Sequence, residues 1–367
     1  MRRLRPTVVD VDLDAIAANV RALKPPDAEL MAVVKADGYG HGAVEVAKAA
    51  LRAGASWLGV ALVEEGIHLR EAGVDRAPIL VLSEFPSGSE AEALEAGLTP
   101  TVYTDRGLTR LIDAAEARNV PVGAHVKVDT GMHRVGVWPP DRLVPFVFRL
   151  RDHGLGFEWL WTHFARADED EATTREQMRR FVAASDALND VGLVPRFRHA
   201  ANSAATIRFP QTHLDLVRVG VALYGLAPGP GLGDGLSPAL SWRSEVALVK
   251  RVPSGEGLSY GHRYRLSDES TIATVPVGYA DGYPRRAEGA EVLVHGKRFP
   301  VAGTVTMDQI LVDCGDEQVE AGDEVILIGA RDDERVTADE LAERSGTINY
   351  EIVSQIGPRV PREYTGG

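Results

Sequence analysis

One cysteine, Cys314, is present in 367 residues. A lone thiol excludes an intrachain disulfide and fits a reducing compartment. Long apolar runs are missing as well. No stretch approaches the roughly 18 consecutive apolar residues that a membrane-spanning helix needs. The opening "MRRLRPTVVD" is basic but lacks the apolar segment of a secretory signal. A basic excess is also absent: 40 Lys and Arg against 53 Asp and Glu give a formal charge of −13. That balance, with a sequence pI near 5.3, argues against a general nucleic-acid or anionic-membrane surface. It leaves room for a local basic pocket that takes a small anion. There is no short-period repeat and no low-complexity tract. The expectation is a soluble cytoplasmic protein with no nucleic-acid and no membrane partner.

What is present is alternation. Between residues 11 and 225, "DAELMAVVKA", "SWLGVAL", "PILVLS", "LTPTVY", "PVGAHVKVD", "FEWLWTH", "RFRHA" and "LDLVRV" read as strands buried on both faces. Segments with helical spacing, such as "GAVEVAKAALRAG" and "TDRGLTRLIDAAEARN", lie between them. Eight strands alternating with helices predict an α/β fold, a (β/α)8 barrel of TIM type. An open doubly wound sheet is the alternative, weakened by the lack of a G-x-G-x-x-G turn after the first strand. The segment "GLAPGPGLGDGLSP", 225–238, packs five glycines and three prolines into fourteen residues and marks a boundary. Beyond it, "ALSWRSEVALVKRV", "STIATVPVGY", "AEVLVHGKRFPVAG", "DQILVDCG" and "GDEVILIG" predict a smaller β-rich domain. It contains one helix candidate, "TADELAERSG", where Thr337 and Glu340 have capping-box spacing. The expected division is a barrel domain over 11–230 and a β-rich domain over 231–367, with residues 1–10 joining the latter.

Polar residues gather at the predicted strand ends. Lys35 ends the first strand, Lys127 and Asp129 the fifth, His163 the sixth, and Arg218 the eighth; Asn202 and Ser203 follow the seventh. In a β/α barrel all of these reach the C-terminal rim, where such folds keep their chemistry. Singly each has an ordinary explanation, since a strand-end lysine is usually solvated and a lone histidine usually structural. Five strands of eight serving one rim is not explained by solvation. The turn "HAANSAAT" puts Asn202 and Ser203 at a helix start, and Gly220 lets backbone approach a ligand closely. The loops after strands seven and eight are the customary phosphate site of these barrels. A phosphate site facing a lysine amine suggests pyridoxal 5'-phosphate held by Lys35. Metal is not expected, because His163 and Asp129 lack companions at ligand spacing.

Nine segments together resemble the alanine racemase family: "AVVKADGYGHG", "HVKVDTGMHRVGV", "THFARAD", "HAANSAA", "LVRVGVALYG", "LSYGHRY", "VGYADGYPR", "TMDQILVD" and "TINYEIVSQIGPRVPR". They run from near the N-terminus almost to the last residue. The resemblance implies a pyridoxal phosphate enzyme of fold type III that interconverts L-alanine and D-alanine, supplying D-alanine for peptidoglycan. It also implies a homodimer with active sites shared between the barrel of one chain and the β domain of the other. Lys35 matches the lysine that binds the cofactor, and Tyr260 the second acid/base, contributed by the partner subunit. Tyr39, Ser203, Gly220, Val221 and Tyr350 match phosphate contacts. Arg218 matches the arginine facing the pyridine nitrogen, and His163 packs beside the ring. Arg134 and Met307 match contacts to the substrate carboxylate, Tyr279 a gate residue, and Lys127 a lysine often carbamylated. Two departures stand out: Asp37-Gly38 where many members have Asn-Ala, and His133 where glycine is frequent.

The chemistry stands beside that likeness. Inverting an α-carbon requires removing a proton from one face and returning one to the other, which two acid/base groups on opposite faces do. The expected assignment is Lys35 on the D side and Tyr260 on the L side. An arginine such as Arg218 cannot take a proton from the ring nitrogen, which should limit side reactions such as transamination. Competing readings are a racemase of broader specificity, a non-catalytic pyridoxal phosphate-binding protein, and a decarboxylase of the same fold type. The last would need a reactive cysteine, whereas Cys314 lies in an ordinary β-run.

Overall fold

The computed structural model describes residues 4–367. The chain forms two compact units, one of residues 15–38 and 43–237, the other of residues 4–14, 39–42 and 238–367.

The first unit is the TIM-type barrel. Its strands are Glu29–Val33, Trp57–Val60, Ile79–Val81, Leu98–Thr99 with Thr101–Val102, Gly123–Lys127, Gly156–Trp161, Phe197–His199 and Leu216–Val219. Pairing is parallel throughout, with Met31 opposite Trp57, Leu58 opposite Ile79, Thr101 opposite His125 and Trp159 opposite Phe197. Leu216 opposite Glu29 joins the last strand to the first. Strands seven and eight meet through Asp215 N–H to Arg198 O at 3.1 Å and Arg218 N–H to Ala201 O at 3.0 Å. The fourth strand is split at Pro100, which has no N–H to give to a ladder but accepts the His125 N–H at 2.9 Å. Side chains such as Leu30, Leu58, Ile79, Val126 and Leu160 are fully buried, as strands covered on both faces require. Strands end earlier than their apolar runs suggest: Lys35, Asp129 and His163 each lie two residues past the last paired residue.

The second unit is β-rich. One sheet orders Lys297–Pro300, Glu291–Val294, Glu324–Arg331, Leu240–Glu245, Val8–Asp12 and Arg362–Thr365, with Glu334–Val336 on the third of these. The N-terminal strand thus lies between Leu240–Glu245, antiparallel, and the C-terminal strand, parallel. A three-stranded sheet joins Leu248–Val252, Ser270–Val275 and Ile310–Asp313. Thr337 caps the helix Ala338–Ser345 by accepting the Glu340 N–H at 3.1 Å. A second helix, Asn349–Ser354, falls in "TINYEIVSQIG", where the sequence pattern gave no helix. Six residues are too few to show a helical period.

Among the described residues no helix is long and apolar enough to cross a membrane.

Candidate active site

Arg218 organises the barrel rim. It is 4 % exposed, and its guanidinium is held by neutral acceptors among the described residues. Nη2 donates to Thr162 O at 2.9 Å, to Ala200 O at 3.0 Å and to His163 Nδ1 at 3.2 Å, while Nη1 donates to His199 Nδ1 at 3.0 Å. Burial lowers its pKa to about 9, so it remains a cation at neutral pH. Because arginine can only donate, the tautomers of its partners follow. His199 must carry its proton on Nε2, which points at His125 Nδ1 3.3 Å away. Burial first, and the Arg218 charge second, push His125, His163 and His199 well below the usual histidine range, so all three are neutral. Trp161 stacks on His199 at 5.3 Å and lies beneath both Arg218 and Lys127.

Lys127 is 4 % exposed, with Nζ 4.1 Å from the centre of the Trp161 ring. Burial, then Arg218 and Arg134, lower its pKa to about 7, and Asp129 acts in the opposite sense. Lys35 is shifted the same way, by burial first and Arg134 second, against a raising contribution from Glu65. Both lysines therefore lean toward the neutral amine, the form that can attack a carbonyl carbon.

Lys35 begins a left-handed turn, with φ of 52° at Ala36, 51° at Asp37 and 61° at Gly38. Side chains hold it: Glu65 Oε1 accepts the Ala36 N–H at 2.6 Å, and Asp37 Oδ1 accepts the Ala43 N–H at 2.9 Å. The same geometry accounts for the two departures noted above. Gly38 adopts its positive φ without strain, and a Cβ there would meet Ala43 at 3.2 Å. His133 has φ 55°, a value that glycine adopts freely. Asp129 Oδ1 compensates by accepting the N–H groups of Gly131, Met132 and His133 at 2.8–3.1 Å. That carboxylate shapes the turn that presents Arg134, whose side chain is exposed.

The remaining barrel residues form an anion cradle. Asn202 caps the helix Ser203–Arg208, its Oδ1 accepting the Ala205 N–H at 3.0 Å, so this oxygen serves the backbone. The buried Ser203 Oγ accepts the Gly220 N–H at 2.9 Å and keeps its own O–H to donate. Val221 opens the 3-10 turn Val221–Tyr224, placing its N–H ahead of that turn's first internal bond. An amine disposed to be neutral, a hydroxyl and backbone N–H cradle, and a buried arginine held by neutral acceptors suit an aldehyde, a phosphate and an unprotonated ring nitrogen respectively. The donor set fits pyridoxal phosphate. Among the described residues no group of three or more His, Cys, Asp or Glu is arranged to hold a metal ion.

The β-rich unit carries the other candidates. Tyr39 and Tyr350 approach with ring centres 6.2 Å apart. Tyr260 is 75 % exposed, at the tip of a turn in which Thr304 Oγ1 donates to Tyr260 O at 3.0 Å. Tyr279 and Met307 sit on interlocked loops, where Tyr279 N–H donates to Thr306 O and Ala280 N–H to Met307 O, both at 3.0 Å. Gly278 permits that approach, since a Cβ there would lie 2.3 Å from both carbonyl oxygens. The buried Asp281 braces the pair by accepting from Arg5 at 2.7 and 2.9 Å and from Gly278 N–H at 3.0 Å. Cys314 is buried and its thiol pushed up to about 12 by that burial, so it is no nucleophile.

Sequence reasoning missed Glu65, His125, His199 and Asp281. A histidine inside each of two barrel strands, Gly123–Lys127 and Phe197–His199, was a usable signal for His125 and His199. Nothing in the spacing links Glu65 to Ala36, 29 positions away.

The family model "Alanine racemase, N-terminal domain" matches residues 11–228, and "Alanine racemase, C-terminal domain" residues 239–364. An alanine racemase of Symbiobacterium thermophilum is 49 % identical over 99 % of this chain and 98 % of its own. That of Frankia casuarinae is 46 % identical over 96 % and 95 %. The crystal structure of alanine racemase from D-cycloserine producing Streptomyces lavendulae superposes with a TM-score of 0.95 at 42 % identity, covering 100 % of this chain and 98 % of that one. The Bacillus anthracis alanine racemase with bound L-Ala-P gives 0.93 at 42 % identity, covering 100 % and 97 %. Rim chemistry, fold and these likenesses over the whole length agree: the chain belongs to the alanine racemase family.

Proposed function

We propose that this protein interconverts L-alanine and D-alanine as a pyridoxal phosphate-dependent homodimer in the cytoplasm, providing D-alanine for peptidoglycan. The observation that carries the reading is the barrel rim itself. There a lysine with lowered proton affinity accompanies an anion cradle and an arginine held by neutral acceptors. Bound pyridoxal phosphate supplies an electron sink that makes the α-proton of alanine removable.

The chain's own residues do the rest. Ser203, Gly220 and Val221, with Tyr39 and Tyr350, hold the phosphate, and Asn202 fixes the start of the helix that bears Ser203. Arg218 presents a permanent cation to the ring nitrogen, while His163, held neutral by burial and by Arg218, packs beside the ring. Arg134 and the backbone of Met307 of the partner subunit bind the alanine carboxylate. Lys35 Nζ takes or returns the proton on the D face, and the hydroxyl of Tyr260 of the partner subunit does so on the L face. In its own unit Tyr260 stands largely in water. That exposure suits a side chain that completes another molecule's site. Tyr279 gates access. The neutral form of Lys127 can add to carbon dioxide, releasing a proton and leaving a carbamate whose negative charge steadies Arg134.

Polarimetry on L- and D-alanine, with a panel of other amino acids, tests the activity and separates alanine specificity from a broader range. Lys35→Ala and Tyr260→Phe should each abolish most turnover. Mixing the two inactive proteins under subunit exchange should restore about a quarter of wild-type activity, because half the dimers then hold one intact site. No recovery, with exchange confirmed, would remove the shared site.

A further inference from the structure

We propose that Glu65 is the positioning residue of Lys35, fixing the peptide that follows the lysine. The inference rests on the reading of Lys35 as the cofactor lysine. Glu65 lies in the helix Val63–Glu71 and divides its two oxygens. Oε2 accepts the N–H groups of Ala61 at 2.8 Å and Leu62 at 3.1 Å, which close the start of its own helix. Were that all, Glu65 would be a helix cap. Oε1, however, accepts the Ala36 N–H at 2.6 Å, from a different strand end. The Ala36 nitrogen belongs to the peptide plane directly after Lys35, so this bond fixes ψ of the lysine and the direction of its side chain.

The clamp is needed because the turn is unfavourable. Ala36 and Asp37 hold left-handed angles that residues with a Cβ adopt only at a cost. Two further bonds complete the turn, Gly38 N–H to Val34 O at 2.9 Å and Ala43 N–H to Asp37 Oδ1 at 2.9 Å. The Glu65 bond also brings a charge that raises the proton affinity of the amine. Arg134, Lys127 and His163 also act with Lys35, and the Asp37 carboxylate in the same turn is bonded to the Ala43 N–H. Arg134 and Lys127 are basic and His163 is neutral, whereas Glu65 is an anion. Lys35 is thereby held between two demands: neutral enough to condense with an aldehyde, and basic enough to take up a proton.

The test follows capture of added pyridoxal phosphate by the full-length chain from about pH 6 to 10. In that step Lys35 Nζ condenses with the aldehyde, its two protons and the carbonyl oxygen leaving as water. Borohydride fixes the product and peptide mass locates it. Glu65→Ala should slow capture roughly tenfold. Adding Ala36→Gly should restore most of the rate, because glycine takes the left-handed turn unaided. Glu65→Gln should move the pH midpoint of capture downward, since the ammonium loses its neighbouring charge. Unimpaired capture in Glu65→Ala, or a loss that Ala36→Gly does not rescue, would leave Glu65 a helix cap and overturn the inference. An unmoved midpoint in Glu65→Gln would remove the electrostatic action of Glu65 on Lys35. Label found on a residue other than Lys35 in the wild type would instead defeat the assignment of the lysine, and this inference with it.

Discussion

The two units treat their candidate groups in opposite ways. In the barrel, Lys127 and Arg218 are withdrawn from water to 4 % exposure each, and burial is the first cause of their lowered proton affinity. In the β-rich unit, Tyr260 and Met307 stand 75 % and 53 % exposed on turns held by backbone and hydroxyl hydrogen bonds. The barrel tunes its groups by folding. The β-rich unit presents its groups on a stiff frame and leaves their environment to whatever covers them. Stability and activity should therefore be coupled in the first unit and separable in the second.

The widest separation should come from one substitution in each. Arg218→Leu strands the carbonyls of Thr162 and Ala200 without their donor. It should cost about 3 kcal/mol of stability, since each buried acceptor left unpaired costs on the order of 1–3 kcal/mol. Tyr260→Phe should leave stability within about 0.5 kcal/mol of wild type, as expected of a surface change. Both should lower racemisation by roughly 10²-fold or more. Urea unfolding beside polarimetry reads the pair, and a Tyr260→Phe protein as destabilised as Arg218→Leu would break the comparison.

Gly278→Ala asks whether the exposed groups depend on their frame. The new methyl would meet the Thr306 and Met307 carbonyls, so the loops must part. The expected penalty is about 1–3 kcal/mol. KM for alanine should rise several-fold at unchanged cofactor content, because the displaced Met307 backbone is the proposed contact to the substrate carboxylate. Loss of cofactor instead would mean that the barrel unit senses this loop.

How far the sequence revealed these differences depends on what each residue's role requires. The rim positions of Lys35, Lys127, His163 and Arg218 were legible to within two residues of the strand ends, because apolar runs stop close by and one rim collects them. Arg218 itself lies inside the strand that ends at Val219. Roles that rest on contact between distant segments were not legible. The bonds of Glu65 to Ala36 and of Asp281 to Arg5 join residues 29 and 276 positions apart, and no local periodicity carries that information. The left-handed turn after Lys35 was visible only as a glycine in "KADGYG", since alanine at a positive φ leaves no mark in the letters. Tyr39 lies between two barrel segments in sequence yet groups with the β-rich unit in space, an excursion of four residues that composition cannot show.

Lys127 offers a pH test of the barrel's side of the comparison. In bicarbonate-free buffer the folded chain releases this proton near pH 7, whereas an unfolded lysine holds it to roughly 10.4. Between those values the unfolded state binds the extra proton, so stability should rise with pH by up to about 1.4 kcal/mol per unit. Below about 7 both states are protonated and the burial penalty is complete. Lys127→Met lacks this dependence. Its stability advantage over wild type should be largest at neutral pH and shrink toward pH 10. Added bicarbonate should shrink it at neutral pH too, by converting the amine to a carbamate. An advantage constant across pH would show that the amine titrates alike in both states.

The smallest effects compare like with like, one helix cap in each unit. Asn202 caps Ser203–Arg208 and Thr337 caps Ala338–Ser345, each through a single side-chain oxygen and a backbone N–H. Replacement by alanine should cost about 1 kcal/mol in either place. Only Asn202→Ala should also weaken retention of pyridoxal phosphate, by several-fold in Kd, because the helix it starts carries Ser203, which accepts the Gly220 N–H. Equal retention in the two variants would place the phosphate's hold outside this helix start. Equal loss would mean that cofactor affinity follows global stability, and the contrast between a tuned barrel rim and a passive frame would fail at its finest scale.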